Sequence, residues 1–508
     1  MHAQRIVIIG AGPTGLGAGY RLKELGHNQF QIYERSNHVG GLASSFKDSA
    51  GFTWDVGGHV IFSHYKYYDK CFDELMGNDY QLNMRECWIR MMNTWVPYPF
   101  QNNIRYLPKD ICFECLSGLV HAQTQRDHKS AKNFKEFMDA VFGDGIVKYF
   151  MEPYNFKVWA HPPHLLSKEW IGERVAVLDI NRAMKNVVMQ TDDFGWGPNN
   201  QFKFPLMGGT GEFYRRFEKP LAGHINLNKT VAFIDMPQKE VHFADGQRIP
   251  YDILISAMPL DILCNQILRG PVPSEVKKSA AALLHSGGYM VGIGFKPPCP
   301  STKSWMYFPE SNCPFYRATY LSNYSPNMTP DAKTHYSLLC ETSFSPHKSV
   351  HGDRIVDETI AGLINAGMIQ ESDREKIVST WVYHADYSYP TPSVDRDEQL
   401  AKAIPFLEHN DIYSRGRFGL WKYEVSNTDH TLMQGVELIN RLFLNEPEVT
   451  TGMKYSSTHD GRNAAAHERS PFAGSGDPSR SKPRPTPAEK DEPHISEEEL
   501  GITTTRPR

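Results

Sequence analysis

The sequence contains little that would place this protein in a membrane, on nucleic acid or around a metal. No uninterrupted apolar run in its 508 residues reaches the roughly 18 that a membrane helix needs. The formal net charge of −4 gives no excess of basic residues for binding nucleic acid. The eight cysteines are scattered, and no second pair or histidine cluster accompanies Cys112-x-x-Cys115, so no metal site is predicted.

Export signals and repeats are also missing from the sequence. The first predicted strand begins a few residues after Met1, so no signal peptide is expected ahead of it. Reduced thiols and an ordinary share of charged residues, 22%, are typical of a cytoplasmic globular enzyme. No internal repeat is found. A chain of this length is expected to hold two or three interlocked domains.

The strongest feature that is present is a strand–turn–helix–strand unit near the start. An apolar run, Ile6 to Ile9, leads into Gly10-Ala11-Gly12-Pro13-Thr14-Gly15, and a helix-like segment follows to Gly26. The next strand ends at Glu34. This order, with an acid about 20 residues beyond the turn, is typical of a dinucleotide site. We expect a pyrophosphate at the helix N-terminus and a ribose hydroxyl at Glu34. The alternative is a glycine turn that only packs.

The remaining periodicity predicts an α/β fold in which a Rossmann-like domain carries two other units. After about Pro471 proline, serine and charged residues dominate, so the tail is expected to be disordered. The predicted parts are a discontinuous nucleotide-binding domain (1–108, 203–262 and 411–465), an inserted helical domain (109–200), a mixed antiparallel sheet domain (263–410) and the tail (471–508).

Five further stretches combine glycines, aromatic residues and single basic residues. They are Gly58–Tyr67 (GHVIFSHYKY), the proline-rich loop Trp95–Asn103, Pro153–Trp159 (PYNFKVW), Gly172–Val175 (GERV) and Pro314–Thr319 (PFYRAT). Together they resemble the UDP-galactopyranose mutase family, in particular its long, eukaryotic-type form. The resemblance covers nearly the whole chain to about residue 465, and the tail lies outside it.

The resemblance implies FAD as the cofactor and a reaction with no net redox change. The family interconverts UDP-galactopyranose and UDP-galactofuranose: N5 of reduced FAD attacks the anomeric carbon, and UDP leaves and then returns. NADPH is the expected reductant, with His64 and Arg85 at its contact positions. The residues expected to hold FAD are Gly10, Gly12, Thr14, Gly15, Glu34, Arg35, Gly40, Gly41, Leu42, Gly57, Gly58, His59, His64, Arg85, Arg417 and Asn427.

The same resemblance implies which residues bind the UDP-sugar. Arg174 and Arg317 would hold the diphosphate, because guanidinium forks match phosphate oxygens, and His59 would lie against the flavin. The other expected substrate residues are Tyr98, Gln101, Phe150, Asn155 and Trp159 around uracil, Asn199, Trp305 and Tyr307 at the sugar, and Tyr389, Tyr423 and Asn427. Taken singly, an arginine beside a glutamate, as in Glu173-Arg174, is usually a surface ion pair, and a tyrosine in a Tyr-Pro turn usually packs.

Several alternatives share the expected fold. A mutase of the same mechanism would act on another nucleotide sugar, whereas a flavin amine oxidase or desaturase would consume an electron acceptor. Rab escort and GDP-dissociation-inhibitor proteins bind prenylated GTPases without flavin and would be colourless. Thr428 departs from the resemblance, because the family often carries a longer amide there. The oligomeric state stays open between monomer and homo-oligomer.

Overall fold

The computed structural model describes residues 4–171, 179–193 and 200–452, which form twenty strands and thirteen α-helices. The strands are β1 (Ile6–Ile9), β2 (Phe30–Tyr33), β3 (Ser45–Lys47), β4 (Thr53–Asp55), β5 (Tyr80–Met84), β6 (Cys87–Met91), β7 (Thr94–Pro97), β8 (Gln201–Pro205), β9 (Ile225–Asn226), β10 (Val231–Asp235), β11 (Glu240–Phe243), β12 (Arg248–Pro250), β13 (Ile253–Ser256), β14 (Leu268–Arg269), β15 (His285–Phe295), β16 (Trp305–Tyr307), β17 (Arg317–Tyr320), β18 (Tyr336–Phe344), β19 (Ile377–Pro390) and β20 (Ile412–Ser414).

The helices lie between and after these strands, and none of the described ones is long and apolar enough to cross a membrane. They are α1 (Pro13–Glu24), α2 (Lys66–Met76), α3 (Lys109–Gln125), α4 (Phe134–Ile146), α5 (Glu152–Trp159), α6 (Ile180–Met189), α7 (Gly211–Arg215), α8 (Leu260–Ile262), α9 (Ser274–Ala281), α10 (Ile355–Asn365), α11 (Arg396–His409), α12 (Thr428–Leu444) and α13 (Val449–Gly452).

A five-stranded parallel sheet, ordered β20-β13-β1-β2-β9, carries the nucleotide-type turn. All four residues of β1 are buried, as expected for a parallel strand covered on both faces. Ile6 and Ile8 pack with α1 and α12 on one face, while Val7 and Ile9 belong to the core on the other face. The predicted Rossmann-like strand–turn–helix–strand unit is confirmed.

A second, seven-stranded sheet has the order β19-β15-β18-β17-β16-β6-β7 and is antiparallel except at the β16–β6 pair. The mixed sheet was predicted, but its extent was not. Strands β6 and β7 lie within the 1–108 segment that was predicted to belong to the nucleotide-binding part. They instead extend this sheet, because β6 pairs in register with β16. A pairing with a strand so distant in sequence leaves no local pattern.

The helical insertion packs α3 against α4 and continues through a π-helical turn, Val147–Met151, into α5. Cys112 and Cys115 are buried in its core, and burial raises the pKa of the Cys115 thiol to about 12. A thiol that stays protonated at neutral pH is a poor nucleophile and a poor metal ligand. These two cysteines therefore contribute packing.

Asp55, at the end of β4, is a fully buried carboxyl group that joins the start of β3 to the residue before α7. It accepts hydrogen bonds from Ser45 Oγ at 2.5 Å and from Thr210 Oγ1 at 2.8 Å. The Thr210 N–H donates to it at 3.2 Å. Burial raises the pKa of Asp55 to about 6, although these donors oppose the shift. The folded protein therefore binds this proton more tightly than the unfolded chain does.

From this carboxyl group we expect a contribution of about 3 kcal/mol to the free energy of unfolding, complete below about pH 4 and lost as pH rises through about 6. Asp55→Asn should lack that dependence, because its amide does not titrate. The measurement is chemical unfolding of both proteins across this pH range, with Glu358→Gln on the surface as a control. Parallel curves for wild type and Asp55→Asn would contradict the expectation.

Candidate active site

The N-terminal turns of α1 and α12 lie side by side at the end of the parallel sheet. A Cβ on Gly17 would lie 2.4 Å from the Leu432 carbonyl oxygen, and a Cβ on Gly435 would lie 2.1 Å from that of Thr14. Only glycine permits contacts this close. Thr14 Oγ1 also donates to the Thr431 carbonyl at 2.8 Å. Two helix N-termini with their positive dipole ends thus meet, as an anionic or electron-rich ligand requires.

Glu34 lies beside the glycine turn, where the sequence placed it. Its Oε2 accepts a hydrogen bond from the Ala11 N–H at 2.9 Å, and its Oε1 accepts one from the Ser36 N–H at 2.9 Å. The carboxylate is partly exposed, and the neighbouring Arg35 is exposed. Glu34 is therefore fixed by backbone donors, with access to solvent on its remaining side.

The second glycine pair packs on the first turn. The Gly40 N–H donates to the Ala11 carbonyl at 2.8 Å. A Cβ on Gly41 would lie 3.4 Å from the Cα of Gly12, so the two loops are in van der Waals contact. Leu42, one residue further, is partly buried and packs against two of the hydrophobic cores. Gly12 and the Gly40–Gly41 loop are thus in direct contact.

Across the seven-stranded sheet, Tyr307, Arg317 and Glu341 occupy one row in register on β16, β17 and β18. Arg317 donates through Nε at 2.6 Å and through Nη2 at 2.8 Å to the two Glu341 oxygens. Among the described residues, Nη1 of Arg317 has no partner. Burial would raise the pKa of Glu341, but the guanidinium holds it below its ordinary value. Both groups are therefore charged.

Glu341 also ties this row to the His59 loop. The Gly58 N–H donates to its Oε1 at 3.0 Å, and the Tyr316 hydroxyl donates to its Oε2 at 2.9 Å. His59 follows Gly58 and is partly buried, and its Nδ1 has no hydrogen-bond partner among the described residues. Burial lowers the pKa of His59 to about 4, so the imidazole is neutral at pH 7. A neutral ring with an unpartnered buried nitrogen is suited to contact a ligand.

Two predicted tyrosines and Arg417 lie next to this row. The Tyr389 hydroxyl is 3.3 Å from that of Tyr316, and the Arg417 guanidinium lies 4.9 Å from the centre of the Tyr389 ring. Arg417 donates to the carbonyls of Ser388 and Ser426 at 2.9 and 3.0 Å. Tyr423 lies 5.8 Å from Tyr389, centre to centre. The sheet domain and the segment before α12 therefore meet here.

The residues predicted for uracil and sugar form one aromatic cluster. Measured between ring centres, Phe150 lies 4.4 Å from Phe100 and 5.3 Å from Tyr154, Trp159 lies 4.6 Å from Tyr423, and Tyr98 lies 5.5 Å from Tyr307. Trp305 Nε1 donates a hydrogen bond to the Tyr307 hydroxyl at 2.7 Å. Asn155 donates to the Met151 carbonyl at 2.7 Å, and Gln101 is buried. The rings pack on one another and form an aromatic surface that includes Tyr307, which is in register with Arg317.

The two residues predicted to contact NADPH lie in different environments. Arg85 donates to Asn200 Oδ1 at 3.0 Å and lies 5.4 Å from the centre of the Tyr98 ring, at the edge of the aromatic cluster. His64 is only 7% exposed, and its Nδ1 lies 2.7 Å from Asp429 Oδ2 in the first turn of α12. His64 is thus enclosed next to the first turn of α12, and its contact with NADPH stays a prediction.

Two predicted residues, Arg174 and Asn199, lie outside the described residues. Asn427 is exposed at the start of α12. The next residue, the divergent Thr428, forms hydrogen bonds with the hydroxyls of Tyr68 and Tyr214, which are 3.2 Å apart. Its side chain is therefore bonded within the protein.

Sequence reasoning missed three residues of this site: Glu341, Tyr316 and Tyr324. Glu341 is the single acid within the apolar strand Tyr336–Phe344, and an acid in a buried strand is a usable signal. Tyr316 stands next to Arg317 in a motif that was quoted only for its arginine. The Tyr324 hydroxyl is buried with no hydrogen-bond partner among the described residues. Nothing local distinguishes this tyrosine from a packing residue.

These residues fit an extended flavin dinucleotide. Helix α1 has no side-chain cap, so its first N–H groups remain available. A Cβ on Gly12 would meet only the Gly41 Cα, at 4.0 Å, which leaves room for a pyrophosphate at the backbone. At the other end, the unpartnered Nδ1 of His59 provides a buried polar atom for the ring system.

Comparison with known proteins agrees with this geometry. The family model described as "Flavin containing amine oxidoreductase" matches residues 13–405, so fold and site define a flavoprotein of the amine-oxidoreductase class. A solved "reduced UDP-Galactopyranose mutase" is 42% identical, covers 88% of this chain and 97% of that chain, and has a TM-score of 0.85. The chain belongs to the UDP-galactopyranose mutase family and is an enzyme of the isomerase class.

A more distant structure shows a similar fold, and two desaturases match over shorter stretches of sequence. A putative protoporphyrinogen oxidase from Exiguobacterium sp. 255-15 is 15% identical, covers 88% of this chain and 100% of that chain, and has a TM-score of 0.67. A 4,4'-diapophytoene desaturase of Staphylococcus haemolyticus is 46% identical over 56 residues, and one of Staphylococcus aureus (strain MRSA252) is 29% identical over 153 residues. The chain spans only 11% and 28% of the length of these two desaturases.

We expect Gly12→Val to fold but to lose FAD. The added side chain meets open space in the protein and would occupy the place of the pyrophosphate. Gly26→Asn, at the other end of the same helix, has no atom within 4 Å of its Cβ position and is the matched control. The measurements are flavin absorbance per protein and thermal unfolding without flavin. Normal flavin content in Gly12→Val would place the pyrophosphate elsewhere.

Proposed function

We propose that this protein interconverts UDP-galactopyranose and UDP-galactofuranose with reduced FAD. The observation that carries the proposal is the Tyr307–Arg317–Glu341 row joined to the His59 loop. It combines a fixed guanidinium, tyrosine hydroxyls and a neutral imidazole at one place. The 42% identity to a UDP-galactopyranose mutase supports the same substrate.

FAD would be held by the α1 turn, Glu34 and the Gly40–Gly41 loop at its nucleotide end. The His59 loop, Arg417 and Asn427 would hold its ring end. When bound and reduced, FAD supplies a nucleophilic N5 for the anomeric carbon. The protein has to keep the sugar in line with that atom and stabilise the charge of departing UDP.

The chemistry of the chain itself centres on Arg317. A diphosphate gains negative charge as it leaves, and a preoriented guanidinium stabilises that charge without reorganising. Glu341 holds Nε and Nη2, so Nη1 is directed by the pair and is available for a phosphate oxygen. Tyr389 and Tyr423 would add hydroxyl donors. His59 is neutral at pH 7 and would act as a hydrogen-bonding partner.

NADPH is the proposed reductant, and the position of Arg85 beside Tyr98 supports an approach from that edge. A second dinucleotide-type turn is not found in the sequence, so NADPH would share the cleft used by the sugar nucleotide. Arg174 and Asn199 are proposed for the diphosphate and sugar on the family resemblance alone.

The direct experiment is to add UDP-galactofuranose to anaerobic, dithionite-reduced protein and follow the sugar ring size by chromatography. The proposal expects conversion to UDP-galactopyranose by the reduced protein and none by the oxidised protein. Parallel reactions with other furanose nucleotides would identify a mutase of different sugar specificity. No conversion of any nucleotide sugar by flavin-loaded, reduced protein would contradict the proposal.

Substitutions in the ion pair test the assignment of Arg317. Arg317→Lys replaces a two-pronged donor by a point charge, and Glu341→Gln leaves the guanidinium without its counter-charge. Each should lower kcat on the order of 10- to 150-fold, the equivalent of one charge-assisted hydrogen bond lost in the transition state.

The matched control is Glu358→Gln, which breaks the exposed Arg354–Glu358 pair and should leave kcat unchanged. All variants should retain flavin, measured by absorbance. Wild-type turnover in both Arg317→Lys and Glu341→Gln would place the diphosphate away from this row.

A further inference from the structure

A fully buried asparagine, Asn103, joins two segments at the border of the aromatic cluster. Its Nδ2 donates to the carbonyls of Pro97 at 3.3 Å, Pro99 at 3.0 Å and Asp193 at 2.9 Å. Its Oδ1 accepts a hydrogen bond from the Asp193 N–H at 3.0 Å. The Nδ2 group and the carbonyl oxygen of the amide therefore both form hydrogen bonds within the protein.

The proline content of the loop explains why this amide is needed. Pro97 and Pro99 have no N–H groups, so the loop between them has few backbone donors with which to fix its own shape. Asn103 adds a side-chain donor to both proline carbonyls, beside the Asn102 N–H that donates to the Pro99 carbonyl at 3.2 Å. Alanine would leave these carbonyls buried without this donor, and aspartate would present a charged acceptor to them.

The loop carries two residues of the candidate site. Tyr98 lies between the two prolines, and its ring centre is 5.5 Å from that of Tyr307, which is in register with Arg317. Gln101 lies in the single turn Phe100–Asn102 that ends next to Asn103. The position of both side chains therefore depends on the backbone that Asn103 fixes.

Asp193 also bonds this loop, through both its side chain and its backbone. Its Oδ2 accepts a hydrogen bond from Asn102 Nδ2 at 3.1 Å, and Arg182 pairs with its carboxylate. The backbone of Asp193 bonds both ends of the Asn103 amide, as described above. Loop and segment are thus joined by side-chain and main-chain bonds around one buried group.

We propose that Asn103 is a positioning residue for nucleotide binding: it holds the Tyr98–Gln101 loop in the shape that receives the base of the UDP-sugar. This rests on the proposed function. Asn103 is buried and contacts the substrate only through the residues that it orients. Its loss should therefore weaken binding of UDP without changing the chemical step at saturation.

The test uses the full-length holoenzyme with Asn103→Ala, and with Asn103→Ser, which keeps one donor should the alanine variant fold poorly. Titration with UDP should show affinity reduced roughly 10- to 30-fold, as expected when about two net hydrogen bonds are lost, with kcat and flavin content unchanged. Hydrogen exchange in the unliganded protein should rise over residues 95–103. Asn410→Ala, which removes a bond to the Phe406 carbonyl at 2.8 Å in α11, is the matched control and should show neither change.

We expect the Asn103 variants to show both weaker UDP binding and faster hydrogen exchange over residues 95–103. Faster exchange with wild-type UDP affinity would show a structural role only, and weaker UDP binding with unchanged exchange would show that Asn103 does not act through the loop. Either result overturns the inference. Failure of the wild-type protein to bind UDP would contradict the proposed function. The hydrogen-exchange measurement contains no UDP, so it still shows whether Asn103 fixes the loop in that case.

Discussion

The bidentate ion pair between Arg317 and Glu341 is the interaction on which the candidate site depends. The two side chains face each other across neighbouring strands, and Glu341 further accepts from the Gly58 N–H and the Tyr316 hydroxyl. One carboxylate thus fixes a guanidinium, the His59 loop and a tyrosine. Removing one partner of a buried pair typically costs about 3–5 kcal/mol, because the other charge is left uncompensated. The orientation of the Arg317 guanidinium is therefore fixed by Glu341.

The proposed function also needs a nucleotide-binding part of fixed shape. Glycine contacts between α1 and α12 bring the two helix N-termini together. The segment that precedes α12 is anchored by Arg415, whose guanidinium bonds Glu448 at 2.6 and 2.7 Å and Glu408 at 2.6 Å. This buried cluster lies two residues from Arg417. Arg417, which is proposed to hold the ring end of the cofactor, thus lies next to an anchored part of the chain.

The local features of the fold could be predicted from the sequence, and the long-range ones could not. The turn at Gly10–Gly15 is encoded within thirty residues, and its strand, helix and acid are found as expected. The partner of β6 and the enclosure of His64 by α12 depend on residues hundreds of positions away. Glu341 could have been noticed as the single acid in a buried strand, but its partner Arg317, on the neighbouring strand, is not evident from that signal. The resemblance supplied Arg317 and Tyr389, but it did not reveal what orients them.

The central claim is that this site uses reduced flavin to rearrange a sugar without consuming electrons. The most direct measurement is the amount of UDP-galactopyranose formed from UDP-galactofuranose per two-electron equivalent supplied, in the absence of oxygen. The account predicts many sugars converted for each equivalent, because electrons are needed only to activate the enzyme. A ratio fixed at one to one, or full activity of the oxidised protein, would contradict it.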